Sequence, residues 1–314
     1  MSQKCSKCDS PAVYLRRYTS EALCKSCLIK TTLSRVRRTI NRKKMLQRGD
    51  RVAVAISGGK DSAVLLDVLH RVESNFSDSE LIPVTIDEGI KGYRDEALES
   101  AKALVRSLGL KLEVRSFKDI FGRPLDEIVQ LRSDITVGAC SYCGVLRRRA
   151  LNTAAFDIGA DVIATGHNLD DEAQTIMMNM MRGDSQRIVR TNRPRDKPVE
   201  GLISRIKPIL ELSERDIVAY SHHLELPYHD VPCPYYREAM RNDLRDFLNE
   251  MEHKRPGTLL AILRSGEAIT ASLETNTHTL QSERCEKCGE VTSGRICKVC
   301  RLMDELPKGK RVTD

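Results

Sequence analysis

The stretch RVAVAISGGKDS, residues 51–62, decides how the rest of the chain is read. Its first half, RVAVAI (51–56), is a short apolar run rich in β-branched residues, which suits a strand. Its second half turns through Gly58 and Gly59, and AVLLDVLHRV (63–72) follows with apolar residues at helical spacing. A glycine-rich turn from strand to helix lets backbone N–H groups approach phosphate oxygens, and the helix dipole favours their charge. Ser57 and Ser62 add hydroxyl donors. The spacing GxxxxGK[ST] is absent, which argues against a motor or GTPase-type nucleotidase.

Outward from this turn the pattern alternates. LIPVTID (81–87) is a second strand candidate, and RDEALESAKALVRSLG (94–109) a helix stopped by Gly109. KLEVRSF (111–117) is a third strand, 143–157 a helix, DVIATGH (161–167) a fourth strand and DDEAQTIMMNMM (170–181) a helix, its Met run at 177–181 reading as core. Residues 183–204 are polar and basic and read as a surface loop; helices at about 213–224, with Ser213 as a cap, 237–253 and 256–272 close the body. Alternating strands and helices predict an α/β, Rossmann-like parallel sheet covered on both faces.

The chain has 11 cysteines, and no run approaches membrane-spanning length or resembles a signal segment. The expected compartment is the cytoplasm, where stable disulfides are rare and clustered cysteines bind metal or do redox chemistry. Cys5-x2-Cys8-x15-Cys24-x2-Cys27 and Cys285-x2-Cys288-x8-Cys297-x2-Cys300 match four-thiolate zinc templates, each pair of turns closing a tetrahedron around one ion. Such closed sites hold together segments too small for a hydrophobic core. The predicted organisation is therefore a zinc knuckle (1–30), a basic linker helix (31–50, with helical spacing over 31–48 and Leu33, Val36, Ile40 and the Lys44 stem on one side), a catalytic body (51–272), and a linker with a second zinc ribbon (273–314). Cys140, Cys143 and Cys233 remain. From spacing alone they suit an iron–sulfur cluster with one open iron, a zinc site completed by a residue such as His229, or a redox pair with a third, sulfur-carrying thiol.

Net charge is +7, yet residues 1–50 hold 13 Lys and Arg against Asp9, Glu21 and Asp50. A basic arm on a near-neutral body points to a polyanionic partner, with Arg37, Arg38, Arg42, Lys43 and Lys44 as candidate phosphate contacts; a solvated basic helix is the plainer reading. Aromatic residues are 4% and tryptophan is absent, which argues against extensive stacking platforms for bases.

SGGKDS (57–62) resembles the PP-loop of the N-type ATP pyrophosphatases, which split ATP between its α- and β-phosphates and adenylate an oxygen of a second substrate. The resemblance implies that Ser57, Gly58, Gly59, Lys60, Asp61 and Ser62 grip the pyrophosphate, that Asp61 helps to place Mg2+, and that Ala55, Ile56, Ile86 and Asp87 lie near the nucleotide. Thr165-Gly166-His167-Asn168 with Asp170 and Asp171 match the family's TGHNxDD segment. Helix capping is the alternative role for the two aspartates, and a structural hydrogen bond that for His167.

The whole layout resembles the tRNA 2-thiouridine synthetases of the TtuA and Ncs type, related to the TtcA thiolases: a cysteine-rich knuckle, PP-loop, CSYCGVLRR (140–148), TGHNLDDEAQT (165–175), a late PCP (232–234) and a terminal knuckle. It implies a 4Fe–4S cluster on Cys140, Cys143 and Cys233 with one open iron, Arg147 at the α-phosphate, and ATP-dependent 2-thiolation of a tRNA uridine. Lys60 and Arg147 would offset charge on the phosphates. The implied partners are tRNA and a sulfur donor (sulfide, persulfide or a ubiquitin-like thiocarboxylate protein), and the implied assembly is a homodimer. Two rivals make different demands: an amide-forming PP-loop ligase needs no cluster, and a non-catalytic zinc-ribbon RNA-binding protein needs no pyrophosphate release.

Overall fold

The structure, a computed structural model, describes residues 3–73, 78–132, 137–191, 195, 199–236, 241–274 and 283–307. Two short antiparallel strands, β1 (Tyr14–Arg16) and β2 (Glu21–Leu23), lie between the first two cysteine pairs, and α1 (Lys25–Arg42) starts directly on Cys24. The helix thus begins earlier than its basic stretch suggests, because the turn of the second cysteine pair is itself its first turn. It also ends earlier: Lys44 adopts a left-handed conformation (φ 48°), Met45 N–H returns to Ile40 O at 3.0 Å, and Met45 is buried. Val36 and Ile40 are buried and Leu33 is half-buried, while Lys44 is exposed.

The body follows as β3 (Arg51–Ala55), α2 (Lys60–Glu73), β4 (Glu80–Asp87), α3 (Arg94–Ser107), β5 (Glu113–Ser116), α4 (Phe117–Phe121), α5 (Leu125–Leu131), α6 (Ala139–Asp157), β6 (Val162–Ala164), α7 (Leu169–Met181), α8 (Ser185–Thr191), β7 (Ser204–Ile206), α9 (Glu214–His223), α10 (Arg241–Lys254) and α11 (Thr258–Glu274). All pairings in its sheet are parallel, in the order β5-β4-β3-β6-β7. The order reverses direction at β3, so the crevice beyond the carboxyl ends of β3 and β6 is the place where an open α/β sheet accepts a ligand.

Alternation along β3 divides the core. Val52 and Val54 pack with Leu65, Leu66 and Leu69 of α2, whereas Ala53 faces Tyr142, Leu146 and Ala150 of α6. Within 183–204, read as a loop, the chain instead forms α8, with Ile188 and Val189 buried, and the edge strand β7. Of the methionine run, Met177 and Met178 pack on the core but Met180 and Met181 are exposed. Residues 237–240 of the helix expected at 237–253, and 275–282 of the expected linker, lie outside the described residues.

Both cysteine-rich ends are fastened to the body. Arg16, on β1, donates from Nε to Asp216 Oδ1 of α9 at 2.7 Å, and both side chains are almost fully buried (1% and 0% exposed). The C-terminal unit, β8 (Glu283–Arg284), β9 (Val291–Thr292) and α12 (Lys298–Asp304), packs α12 on α6, with Leu302 and Leu306 joining the core beneath that helix.

Candidate active site

The phosphate turn is shaped by contacts that only glycine permits. Gly58 has φ 92°, and a Cβ there would meet Ala97 O of α3 at 2.2 Å. A Cβ on Gly166 would come within 3.2 Å of the Asp61 and Ser62 backbone, so the β6–α7 loop rests directly on the start of α2. Asn168 Nδ2 donates to Asp61 Oδ1 at 2.8 Å across the same contact. Ser57 Oγ and Ser62 Oγ lie 3.1 Å apart, and Ser62 Oγ donates to Gly59 O at 2.9 Å. Lys60 reaches Asp61 at 3.1 Å and Glu214 at 2.8 Å. Burial opposes its charge, but the two carboxylates outweigh it and push its pKa up.

Above this turn opens a cavity of about 390 Å3, within the range of small-molecule sites. Ala55, Ser57, Asp61 and Ser62 line it from the β3–α2 edge, Ile86 and Glu88 from β4, and Gly166, His167 and Asp171 from β6–α7. Arg147 and Arg148 line it from α6 and Arg205 from β7. Gly58, Gly59, Lys60 and Asp87 are not on its wall; Asp87 Oδ1 instead accepts from Gly89 N at 2.9 Å. His167 Nδ1 shares a 2.9 Å hydrogen bond with Thr165 Oγ1. Asn168 is the N-cap of α7 and Asp171 completes its capping box. Asp170 turns away to accept from Glu214 N at 2.7 Å, and burial pushes its pKa up to about 6.

Sequence reasoning passed over Glu88, Arg94 and Arg205. Glu88 is buried and lies 3.2 Å from Arg94 and 3.5 Å from Arg147; Arg94 also donates to Ser57 O at 2.6 Å. The available signal was position: Glu88 directly follows a predicted strand at its carboxyl end, beside the expected nucleotide edge.

None of the three central cysteines is on the cavity wall, but Cys143 adjoins it. Cys143 is buried on α6, one residue before the lining Gly144, and Arg147 Nη2 donates to its sulfur at 3.4 Å. Burial pushes the Cys143 thiol up to about 11, against the pull of Arg147. Arg147 is crowded by protein yet keeps 48% of its side chain open, through the cavity. Cys140 donates to Tyr235 O at 3.4 Å, which brings the 233–235 segment onto α6. Cys233 is half-buried; burial raises its pKa, as does the charge of Cys140. That segment is held at both ends, by His229 N donating to Gly58 O (2.8 Å) and by the Tyr235 hydroxyl donating to Asp126 (2.8 Å). Among the described residues, only the two terminal cysteine sets bring three or more ligand atoms within 4.8 Å of one another. The central thiols form no such set, although Cys143 and Cys233, and Cys233 and Cys140, are near enough to feel one another's charge.

The terminal sets have the spacing of closed sites. Cys8 lies 3.6 Å from Cys24 and 3.7 Å from Cys27; Cys288 lies 3.7 Å from Cys297, and Cys285 lies 3.9 Å from Cys300. Four thiolates around one zinc ion would stand roughly 3.8 Å apart. The Cys297 backbone N–H, 3.3 Å from Cys285 Sγ, leads the effects that hold that thiol down at about 6. Arg149 Nη2 donates to Cys288 Sγ at 3.1 Å from α6.

Comparison with known proteins agrees with this geometry. Residues 30–252 match the PP-loop domain family, and residues 4–29 match the N-terminal LIM domain of the 2-thiouridine synthetase TtuA. The chain is 37% identical to cytoplasmic tRNA 2-thiolation protein 1 of Aspergillus niger, covering 98% of this chain and 90% of that protein. It is 35% identical to its counterpart in Saccharomyces cerevisiae, covering 99% and 88%. It superposes on the U34-tRNA thiolase NcsA of Methanococcus maripaludis, a structure containing a [4Fe-4S] cluster, with a TM-score of 0.85, 31% identity and full coverage of both chains. The chain belongs to the PP-loop family, within its branch of tRNA 2-thiolation proteins.

Proposed function

We propose that this protein converts a tRNA uridine, the wobble uridine U34, to 2-thiouridine, consuming ATP and sulfide and releasing AMP and pyrophosphate. The observation that carries the reading is one side chain: Arg147 lines the phosphate cavity and also hydrogen-bonds Cys143. A nucleotide and a sulfur centre can therefore meet in one space. The uridine target rests on the resemblance to the U34-tRNA thiolase over the whole chain.

In this reading the N–H groups at the start of α2, with Ser57 and Ser62, bind the β- and γ-phosphates. Asp61 and Asp171, both on the cavity wall, hold Mg2+. Asn168, donating to Asp61, fixes that carboxylate. Ala55 and Ile86 give the nucleotide an apolar floor. Arg147 faces the α-phosphate as the uridine O2 attacks it, and Glu88 orients Arg147. Adenylation turns the oxygen into part of a leaving AMP. Cys140, Cys143 and Cys233 would hold a 4Fe–4S cluster, which when bound would supply iron on which sulfide is kept as a nucleophile. Burial of Cys143 keeps that ligand away from solvent.

The two terminal sets each bind one structural Zn2+, which makes 1–30 and 273–314 metal-held units around the 51–272 body. A sulfur donor (sulfide, persulfide or a ubiquitin-like thiocarboxylate protein) and a homodimeric assembly complete the proposal. The relatives are named as cytoplasmic, which supports that compartment here, and among the described residues no helix is long and apolar enough to cross a membrane.

The test is reconstitution. Anaerobically loaded protein, given ATP, Mg2+, sulfide and unmodified tRNA, should yield 2-thiouridine on nucleoside analysis with AMP in equal amount. ATP turnover with no thionucleoside from any tRNA would sink the reading.

A further inference from the structure

Buried and half-buried cations stand beside carboxylates: Arg16 with Asp216, Lys60 with Glu214, Arg94 with Glu88, and Lys207 with Glu172. One group departs from this rule. Among the described residues, the charged groups acting on Arg148, on the cavity wall, are Arg147 and Arg187, and the one acting on Arg205, on the same wall, is Arg148. Arg205 Nη2 does donate to Arg148 O at 2.8 Å, but a carbonyl oxygen neutralises no charge. Lys298, the first residue of α12, is influenced by Arg187, Arg148 and Arg301, all cationic. Among the described residues, the salt bridge to a carboxylate in this group is that of Arg187 with Asp184, at 3.7 Å. All five side chains are exposed.

The docking of α12 on α6 brings the terminal knuckle to this place. Crowding by protein and mutual repulsion push Arg148 below its ordinary value and Arg205 down to about 10. Unneutralised like charges at close quarters destabilise a fold unless an anion joins them. A chain of anions is needed, because the cations extend from the cavity mouth across α8 to the knuckle.

We propose that Arg148, Arg205, Arg187, Lys298 and Arg301 form a track for the RNA backbone beside the target nucleotide, binding successive phosphates while that one base enters the cavity. This rests on the thiolation reading and adds to it the route of the strand. ATP would take up most of a cavity of about 390 Å3, so at most the target base reaches it and the phosphates next to that base must lie outside. Guanidinium groups suit that role because their planar fork binds phosphate oxygens in pairs. Such contacts carry no base information, so the track would grip any sequence equally.

The experiment measures binding of an anticodon stem-loop RNA to the full-length protein by fluorescence anisotropy from about 50 to 300 mM salt. Arg205→Gln, Arg301→Gln and Lys298→Gln are compared with wild type, with Arg205→Lys as a charge-keeping control and thermal melts to check folding. Each neutral variant should bind roughly 3- to 10-fold more weakly and lower the salt slope by about 1, equally for matched and scrambled loops. Arg205→Lys should keep most of the slope, and affinity for an ATP analogue should be unchanged in Arg301→Gln and Lys298→Gln, which lie off the cavity wall. An unaltered RNA slope in folded variants overturns the track, as does loss of nucleotide affinity with RNA binding intact. Wild type that binds RNA with the expected slope but never thiolates it would refute the proposed function and leave the track standing.

Discussion

Arg147 Nη2 lies 3.4 Å from Cys143 Sγ, one turn away on α6, while its Nε faces Glu88 at 3.5 Å. The guanidinium is thus held between the sulfur side and the carboxyl edge of the sheet, and what remains open faces the nucleotide cavity. Arg147→Lys keeps the charge but loses the fork. Thiolation should fall about 100-fold, the scale for removing one preorganised donor to a developing charge. Single-turnover assays at saturating ATP check this, with KM for ATP moving much less than the rate. Unchanged kinetics would place the α-phosphate elsewhere.

Cys140 is exposed and Cys143 buried, so the first should be removable without disturbing the core. Anaerobically purified protein should be brown, and Cys140→Ala should bleach it while leaving the melting temperature within a few degrees. A colourless wild type reconstituted with iron and sulfide would favour the redox-pair or ligase readings.

Arg16 and Asp216 form a buried pair joining β1 to α9, with the Tyr18 hydroxyl on the same carboxylate. Arg16→Met leaves that carboxylate with fewer donors in a place without water. The expected loss is about 3–5 kcal/mol in urea unfolding. The double variant Arg16→Met/Asp216→Leu should recover part of it, and a strictly additive result would deny the coupling.

Asp170 has a folded pKa of about 6 against an ordinary 3.8, chiefly through burial. The folded carboxyl keeps its proton to higher pH than the unfolded one. Stability therefore falls as pH rises through this window, and the cost is complete above about pH 6. Asp170→Asn keeps an acceptor for Glu214 N–H and removes the titration. The metal-free variant should gain about 3 kcal/mol on wild type between about pH 4 and 7. Parallel curves would show that Asp170 does not titrate there.

Native mass spectrometry should find two zinc ions, one per terminal set. Arg149 donates to Cys288 Sγ and so steadies one of them. Arg149→Met should weaken zinc at the C-terminal site by at least about 10-fold, as losses of outer partners do, and spare the other. Equal release from both sites would contradict the geometry.

The sheet and the phosphate turn were legible because their signals are local: β-branched runs, a glycine turn and helical spacing between residues 51 and 109. The terminal cysteine sets were legible because two CxxC turns gather four thiols with little help from the rest of the chain. What escaped depends on tertiary support. Residues 185–191 are polar enough to pass for a loop, and they fold as a helix because Ile188 and Val189 find a core built largely by α7 and α11. The shortened end of α1 turns on Lys44 accepting a left-handed backbone, which favours Asn or Gly far more than Lys. Arg205 occupies an edge strand of three residues, too short to carry a period. The basic arm was read as free for a polyanion, yet Arg42 is paired with Glu211 and Lys43 with Glu267; Arg37 and Arg38 remain exposed.

Arg147, Arg148 and Arg149 are consecutive, yet they serve the cysteine beside the cavity, the cavity mouth and the distant cysteine knuckle. An α-helix rotates about 100° per residue, so three neighbours on one turn can point to three compass bearings only while the phase of that helix is kept. Inserting or deleting one residue between Cys143 and Arg147 would swing every bearing downstream by a third of a circle and disconnect all three at once. Family members should therefore vary freely in the side chains that α6 shows to solvent and hardly at all in the count of residues along it.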